Sequence, residues 1–183
     1  MFKVIIVALV VTVVAIIAIT VVDNMTVNDT YSQSIGNNQS ADENLIAVSL
    51  DGEIRYAGTY YLEEDSTLKD AMDLAGGPTS NADPLAYNTS YILENGMSFY
   101  IAPLYDNSNT CSIAPISKVN INAADKSQLM NVPGFGDAVS TALIDYRTNV
   151  ALFERIEDIK NVSGIGDATF RKARDYIQLR SAS

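Results

Sequence analysis

The distribution of apolar and polar residues divides the chain into five segments. Val4 to Val22 is uncharged and mostly aliphatic, and a helix of that length, rising about 1.5 Å per residue, spans a bilayer core of about 30 Å. Residues 23–44 are rich in Asn, Ser, Thr and Asp, which is typical of a flexible stalk. The patterns that follow predict a strand-rich segment at 45–104, a linker at 105–117 and a helical segment at 118–183.

Residues 1–22 are predicted to be an uncleaved transmembrane helix. A cleaved signal peptide is the alternative, but the apolar run is long and has no clear small-x-small cleavage site. Lys3 precedes the run and Asp23 begins an acidic stretch after it, so the positive-inside rule places the N-terminus in the cytoplasm. The expected location is the plasma membrane, which the chain crosses once with its bulk extracellular.

Two Asx-Gly pairs lie between strand-like runs in the segment 45–104. Asp51-Gly52 separates LIAVSL from EIRYAGTYYL, and Asn95-Gly96 separates TSYILE from MSFYIAPL. Each pair predicts a β-hairpin with a tight turn.

A helical pattern over residues 66–75 lies between the two predicted hairpins. Asp65 or Ser66 is the expected cap and Gly76-Gly77 the expected stop. The apolar stripe expected to be buried consists of Leu68, Ala71, Met72 and Ala75. The order of hairpin, helix and hairpin indicates a β-grasp fold.

The same segment resembles the SLBB (soluble-ligand-binding β-grasp) family. The matching residues are Gly52, Ala57 to Leu62, Ala75 to Gly77, Asn88, Leu93, Gly96 and Tyr100 to Pro103. The resemblance implies either a ligand surface or a self-association surface. We predict self-association through a sheet edge.

Residues 131–147 and 161–177 form an internal repeat with an offset of thirty. Eight of the seventeen aligned positions are identical, which indicates one supersecondary unit used twice. Each copy predicts a short helix, a Gly-apolar-Gly corner and a longer helix. Asp137 and Asp167 are the expected caps of the longer helices. The unpaired N–H groups at such a corner form an anion site that suits phosphate.

The two corners, GFG and GIG, resemble a tandem helix-hairpin-helix pair. Together with the lead-in from Val119 to Ala124, residues 119–178 resemble the C-terminal domain of the ComEA family of competence DNA receptors. The expected fold is therefore α+β and multidomain: a transmembrane helix, an SLBB-like β-grasp domain and an all-α helix-hairpin-helix domain. The resemblance implies a membrane-anchored receptor for double-stranded DNA in natural transformation, with the competence DNA channel and the transformation pilus as partners.

The predicted phosphate contacts are main-chain N–H groups of the two hairpins, which carry no base information. They belong to Gly134, Phe135, Gly136, Ala138, Gly164, Ile165, Gly166 and Ala168. Basic side chains are predicted to support them, namely Lys126, Arg147, Arg171, Lys172 and Arg174. The side chains of Phe135 and Ile165 either touch the groove or are buried in their own hairpins.

Charge changes how strongly this interface is expected to bind. The net charge is −10, yet residues 1–117 hold three Lys/Arg and fourteen Asp/Glu, whereas residues 118–183 hold nine and eight. DNA-binding domains normally carry a clearly basic surface. A nearly neutral domain therefore predicts weak and strongly salt-sensitive binding.

The chain has no histidine and a single cysteine, Cys111. This excludes His-dependent triads and metal sites, as well as an intramolecular disulfide. Cys111 is either an unpaired linker residue or one half of an intermolecular disulfide. We expect no cofactor and no enzyme activity, since about sixty residues leave no room for a base-flipping pocket. The alternative function is a cell-envelope interaction or oligomerisation module whose hairpins make protein contacts.

Overall fold

The computed structural model describes residues 45–106 and 114–181. The predicted anchor at 1–22, the stalk at 23–44 and Cys111 lie outside these ranges. Within them, no helix is both long and apolar enough to cross a membrane. Residues 44–183 form one compact unit, which has a β-grasp lobe and a helical lobe.

The β-grasp lobe is built on a three-stranded sheet in the order β2-β1-β3. Its strands are β1 (Leu45–Gly52), β2 (Gly58–Glu63) and β3 (Ser98–Ile101). β1 pairs with β2 in antiparallel register, from Leu45 opposite Glu63 to Leu50 opposite Gly58. The buried residues of β1 alternate along the strand, so one face of the sheet packs on the core.

The first predicted hairpin forms, but the prediction of a tight turn at Asp51-Gly52 is wrong. Both residues belong to β1 and pair with β3, opposite Tyr100 and Ile101. A five-residue loop after Gly52 makes the reversal instead. A Cβ at Gly52 would lie 2.3 Å from the Ile101 carbonyl oxygen, and φ there is +83°. Glycine is therefore required by the close approach of β3 as well as by the backbone angle.

The second predicted hairpin is absent from the described residues. β3 pairs in parallel with β1, and the run before Asn95 contributes only an isolated bridge between Thr67 and Ile92. Asn95-Gly96 still makes a turn, closed by the bond from the Met97 N–H to the Glu94 carbonyl at 3.3 Å. The Ala47 N–H donates to the Asn95 side chain and the Gly96 N–H donates to the Ala47 carbonyl, so the turn is tied to β1. The turn therefore joins β3 to the middle of the sheet and not to a hairpin partner.

The predicted helix is confirmed as α1 (Leu68–Leu74), with Thr67 and not Asp65 or Ser66 as its N-cap. The Asp70 carboxylate accepts from the Thr67 N–H at 2.8 Å, and the helix begins two residues later than the predicted start at Ser66. The whole predicted apolar stripe is buried. Gly76 and Gly77 both have positive φ and end the helix.

The helical lobe contains both copies of the repeat. Its elements are β4 (Val119–Asn120), α2 (Lys126–Leu129), α3 (Asp137–Asn149), a 3₁₀ helix (Ile156–Asn161), α4 (Asp167–Ala173) and β5 (Ile177–Gln178). The expectation of an all-α domain is wrong, because β4 and β5 pair in parallel. Each strand has two residues, which is too short to produce a recognisable pattern.

The two lobes are joined by buried polar contacts. Lys118 Nζ lies 2.8 Å from Asp83 Oδ2, and both side chains are almost fully buried. The Tyr100 N–H donates to Glu157 at 2.6 Å, and the Tyr100 hydroxyl donates to Asp175 at 2.7 Å. Removing one partner of a buried charge pair is strongly destabilising. These contacts therefore hold the helical lobe in a fixed position on the β-grasp lobe.

Candidate nucleic-acid interface

Each hairpin has the same backbone at its corner. Gly134 and Gly164, thirty residues apart, both have φ of +90°. The next glycine of each hairpin, Gly136 or Gly166, is extended and serves as the N-cap of α3 or α4. A Cβ on either N-cap glycine would meet nothing within 4 Å. Both corners therefore present bare main chain to the surroundings.

The N–H groups after each corner are left without helical acceptors. The first main-chain bond of α3 joins the Ser140 N–H to the Gly136 carbonyl at 2.9 Å, and Phe170 and Gly166 make the same bond in α4. The predicted donor of Ala138, like that of Ala168, comes before that bond and has no acceptor within its helix. Among the described residues, the Gly136 N–H has no recorded acceptor either.

The predicted capping role of Asp137 and Asp167 is wrong. Each is the first residue of its helix, and the cap position belongs to the preceding glycine, which has no side chain to accept a hydrogen bond. The N–H groups that an Asp cap would occupy therefore remain available.

The middle residue of each corner faces inward. Phe135 is 4% exposed and Ile165 is 5% exposed, and both belong to the core of the helical lobe. Their N–H groups donate to the carbonyls of Val132 and Val162 at 3.0 and 3.1 Å. The prediction that these two residues offer free N–H groups is therefore wrong, and they anchor the corner from within.

The two hairpins pack reciprocally. A Cβ on Gly134 would lie 3.5 Å from Cγ2 of Thr169, and a Cβ on Gly164 would lie 3.3 Å from Cγ2 of Val139. Val139 and Thr169 are equivalent positions of the repeat, so each corner lies against the second helix of the other copy. The two hairpins are therefore related by approximate twofold symmetry. The two antiparallel strands of a nucleic-acid duplex are related by the same kind of symmetry.

The reciprocal packing assigns Lys172 to the first hairpin. Its Cβ would be 3.6 Å from a Cβ on Gly134, although in sequence it follows the second hairpin. Arg171 and Lys172 are both exposed. The packing of each copy against the other therefore places the base of the Lys172 side chain at the first corner.

Two of the predicted basic residues have internal roles. Arg147 donates from Nη1 to the Ile121 carbonyl at 2.8 Å and from Nη2 to the Ala124 carbonyl at 2.6 Å. The guanidinium carbon of Arg174 lies 3.6 Å from the ring centroid of Tyr100, at the contact between the lobes. Both guanidinium groups are therefore engaged within the protein, and neither residue is included in the phosphate contacts proposed below.

Lysines lie close to the first helical residue after each corner. Lys126 Nζ is 2.7 Å from Asp137 Oδ1, as its predicted place beside the first hairpin requires. Lys160 Nζ is 3.4 Å from Asp167 Oδ1 and is a candidate that the sequence prediction omitted. Its position, four residues before Gly164, was the available signal.

A buried carboxylate lies behind the second hairpin. Glu157, in the 3₁₀ helix, is 9% exposed and accepts from the Tyr100 N–H. Burial raises the pKa of Glu157 to about 7, and the hydrogen bond from Tyr100 opposes that rise. The residue belongs to the contact between the lobes and not to the exposed corner.

The comparisons with known proteins match both lobes. The helix-hairpin-helix motif profile matches residues 114–178, and the SLBB domain profile matches residues 47–102. ComE operon protein 1 of Bacillus subtilis is 29% identical over 161 residues, which cover 83% of this chain and 78% of that protein. The similarity to a ComEA-type protein therefore extends over both lobes of this chain.

Other relatives match shorter parts of this chain. Human endonuclease/exonuclease/phosphatase family domain-containing protein 1 is 39% identical over 64 residues, which cover 35% of this chain and 11% of that protein. An uncharacterized protein of Haemophilus influenzae is 38% identical over 61 residues, 33% of this chain and 54% of that protein. The ComEA-like homology and the helix-hairpin-helix motif together support a DNA-binding role in competence.

Proposed function

We propose that this chain is a sequence-independent receptor for double-stranded DNA that serves DNA uptake in natural transformation. The observation that carries the proposal is the pair of equivalent corners, each with exposed glycine main chain and unpaired N–H groups. Main-chain N–H groups bind backbone phosphates and do not read bases. Each corner would hold one strand of the duplex.

The phosphate contacts proposed from this geometry are fewer than the sequence predicts. The main-chain donors are those of Gly134, Gly136, Ala138, Gly164, Gly166 and Ala168. The supporting side chains are Lys126, Arg171 and Lys172. A duplex held by this set contacts on the order of three to five phosphates, so its affinity falls steeply with salt.

The proposal extends to the cell envelope. Residues 1–22 would anchor the chain in the plasma membrane, with the N-terminus in the cytoplasm and residues 44–183 outside. The ComEA resemblance supports the competence DNA channel as the downstream partner and the transformation pilus as the upstream one. We infer a binding function without enzyme activity.

Self-association through the β-grasp lobe is part of the proposal. β2 is an edge strand, and the apolar side chains of Leu45, Tyr61 and Leu74 near it are 47%, 62% and 60% exposed. An unpaired edge with exposed apolar residues favours strand addition. A mass measurement on residues 44–183 over a range of concentrations tests this, and a monomer at every concentration rejects it.

The DNA contact is tested by substitutions that block the corners without disturbing them. Gly136→Asp and Gly166→Asp place a capping carboxylate at each helix start, where the backbone is extended and space is open. The new side chain occupies the free N–H groups and repels phosphate. In residues 44–183, the double variant should lose at least tenfold in affinity for unrelated duplexes and keep its unfolding midpoint.

Gly58→Asp is the matched control, because Gly58 is unstrained, open and in the β-grasp lobe. It adds the same charge and should leave affinity unchanged. Unchanged affinity in the double variant would reject the corner assignment. If the parent binds no duplex even at low salt, a cell-envelope interaction module becomes the better hypothesis. Conversion of DNA to a product by the protein, with no other substrate added, would indicate an enzyme.

A further inference from the structure

An exposed lysine-aspartate ion pair lies beside each hairpin corner. Lys126 pairs with Asp137 and Lys160 pairs with Asp167. The lysine side chains are 42% and 43% exposed, and both aspartate side chains are 74% exposed. In both pairs the aspartate is the first residue of the helix after the corner, and the exposed fractions of the side chains are nearly the same.

The lysines of these pairs do not come from equivalent positions of the repeat. An offset of thirty places Ile156 opposite Lys126 and Met130 opposite Lys160. Ile156 is buried, and Met130 is an exposed apolar residue. Duplication of one unit therefore does not explain why each corner has a lysine ammonium group at its equivalent aspartate. A requirement shared by the two corners does.

Structural stability is a poor candidate for that requirement. Exposed ion pairs contribute little to folding, because water screens them and ordering two side chains costs entropy. A lysine on a flexible stem also changes partner easily. A phosphate at the open N–H groups beside Gly136 or Gly166 would meet the same lysine and the same aspartate.

We propose that Lys126 and Lys160 are an equivalent pair of DNA-contacting side chains, which Asp137 and Asp167 keep beside the corners until phosphate replaces the carboxylate as their partner. The inference rests on the proposed function and adds Lys160 to its contacts. It also explains an acidic residue beside a phosphate site. The aspartate positions the lysine in the free protein and weakens the complex, which makes release easy.

The test measures duplex affinity of residues 44–183 at several salt concentrations. Lys126→Gln and Lys160→Gln should each weaken binding by three- to tenfold and lower the log-log salt slope by about one. Asp137→Asn and Asp167→Asn should each strengthen binding by at least threefold and leave the slope unchanged. In these variants no lysine-aspartate ion pair has to break before the lysine binds phosphate, and no carboxylate repels the phosphate.

Lys69 and Asp73 provide the matched control. They form an exposed lysine-aspartate pair at 2.5 Å in the β-grasp lobe, so Lys69→Gln and Asp73→Asn make the same chemical changes away from the corners. Both should leave affinity and slope unchanged.

The outcomes separate this inference from the proposed function. If the parent binds duplex and the Gly136→Asp, Gly166→Asp variant does not, but Lys160→Gln matches Lys69→Gln, the inference is wrong and the function stands. Weaker binding by Asp167→Asn would also overturn it. A parent that binds no duplex rejects both.

Discussion

The two hairpins have the same main chain but different surroundings. Gly134 and Gly164 share one φ value, whereas the first corner lies beside Lys126 and Lys172 and the second beside Lys160. Behind the second corner lies the buried Glu157, whose equivalent in the first copy is the exposed Ser127. The backbone geometry has been kept in both copies, while the cations and the buried contacts have diverged.

The largest expected difference between the copies is their response to pH. The folded pKa of Glu157 is about 7 against 4.5 for the free side chain, so its neutral form stabilises the fold. That contribution is fully present below about pH 4.5 and is lost as pH rises through 7, about 3 kcal/mol in all. Glu157→Gln should remove this decline in urea unfolding between pH 4.5 and 8, since its side chain can still accept from Tyr100.

Glu154→Gln is the control for that experiment, because Glu154 is exposed in the same segment. It should keep the decline of the parent. A decline of equal size in Glu157→Gln would show that another group causes it.

A substitution of Arg147 tests whether this residue stabilises the fold or binds DNA. Arg147→Met keeps the length of the side chain but loses its bonds to two carbonyls, which should cost about 2 kcal/mol of unfolding free energy. Duplex affinity of the folded variant should stay within twofold of the parent. A loss of affinity without a loss of stability would return Arg147 to the DNA contacts.

The corner glycines should differ in their tolerance of alanine. The positive φ penalises both variants by about 1 to 2 kcal/mol. A Cβ at Gly164 also approaches Val139 to 3.3 Å, whereas the nearest atom to one at Gly134 is 3.5 Å away. Gly164→Ala should therefore be less stable than Gly134→Ala by about 1 kcal/mol in urea unfolding. Equal losses would mean that Val139 moves aside freely.

The smallest predicted effect is a change in duplex affinity that shows which corner Lys172 serves. Lys172→Gln should weaken duplex binding about threefold in the parent and have little effect once Gly136→Asp has blocked the first corner. It should keep its effect when Gly166→Asp blocks the second corner. The reverse dependence, measured by the same titrations, would place Lys172 at the second hairpin as the sequence order suggests.

The sequence predicted the local features of the fold better than the pairing of distant segments. The glycine spacing located both corners, and helical periodicity identified the apolar stripe of α1 (Leu68, Ala71, Met72 and Ala75) as buried, which is confirmed. The strand-like runs on either side of Asn95-Gly96 predicted a hairpin, but they could not indicate that β3 pairs with β1. Strand pairing depends on contacts between segments that are far apart in the chain.

The same limit applies to the basic residues. Arg147 and Arg174 have the charge and spacing of phosphate contacts, and only the folded chain directs them to carbonyls and to Tyr100. Lys160 was missed because its relation to Asp167 arises from the bend between the 3₁₀ helix and α4. Main-chain donors follow from local backbone geometry, so six of the eight predicted, all except those of Phe135 and Ile165, have no main-chain acceptor among the described residues.

The polar contacts between the lobes have a mechanical consequence. Arg180, near the end of the chain, donates to the carbonyls of Pro84 and Tyr87, while Lys118 and Asp83 are paired out of reach of water. Tension on a duplex held at the corners would pass through these contacts into the sheet, and from β1 toward the segment that precedes Leu45. Force on the duplex would therefore load these contacts between the lobes before it reached the segment that precedes β1.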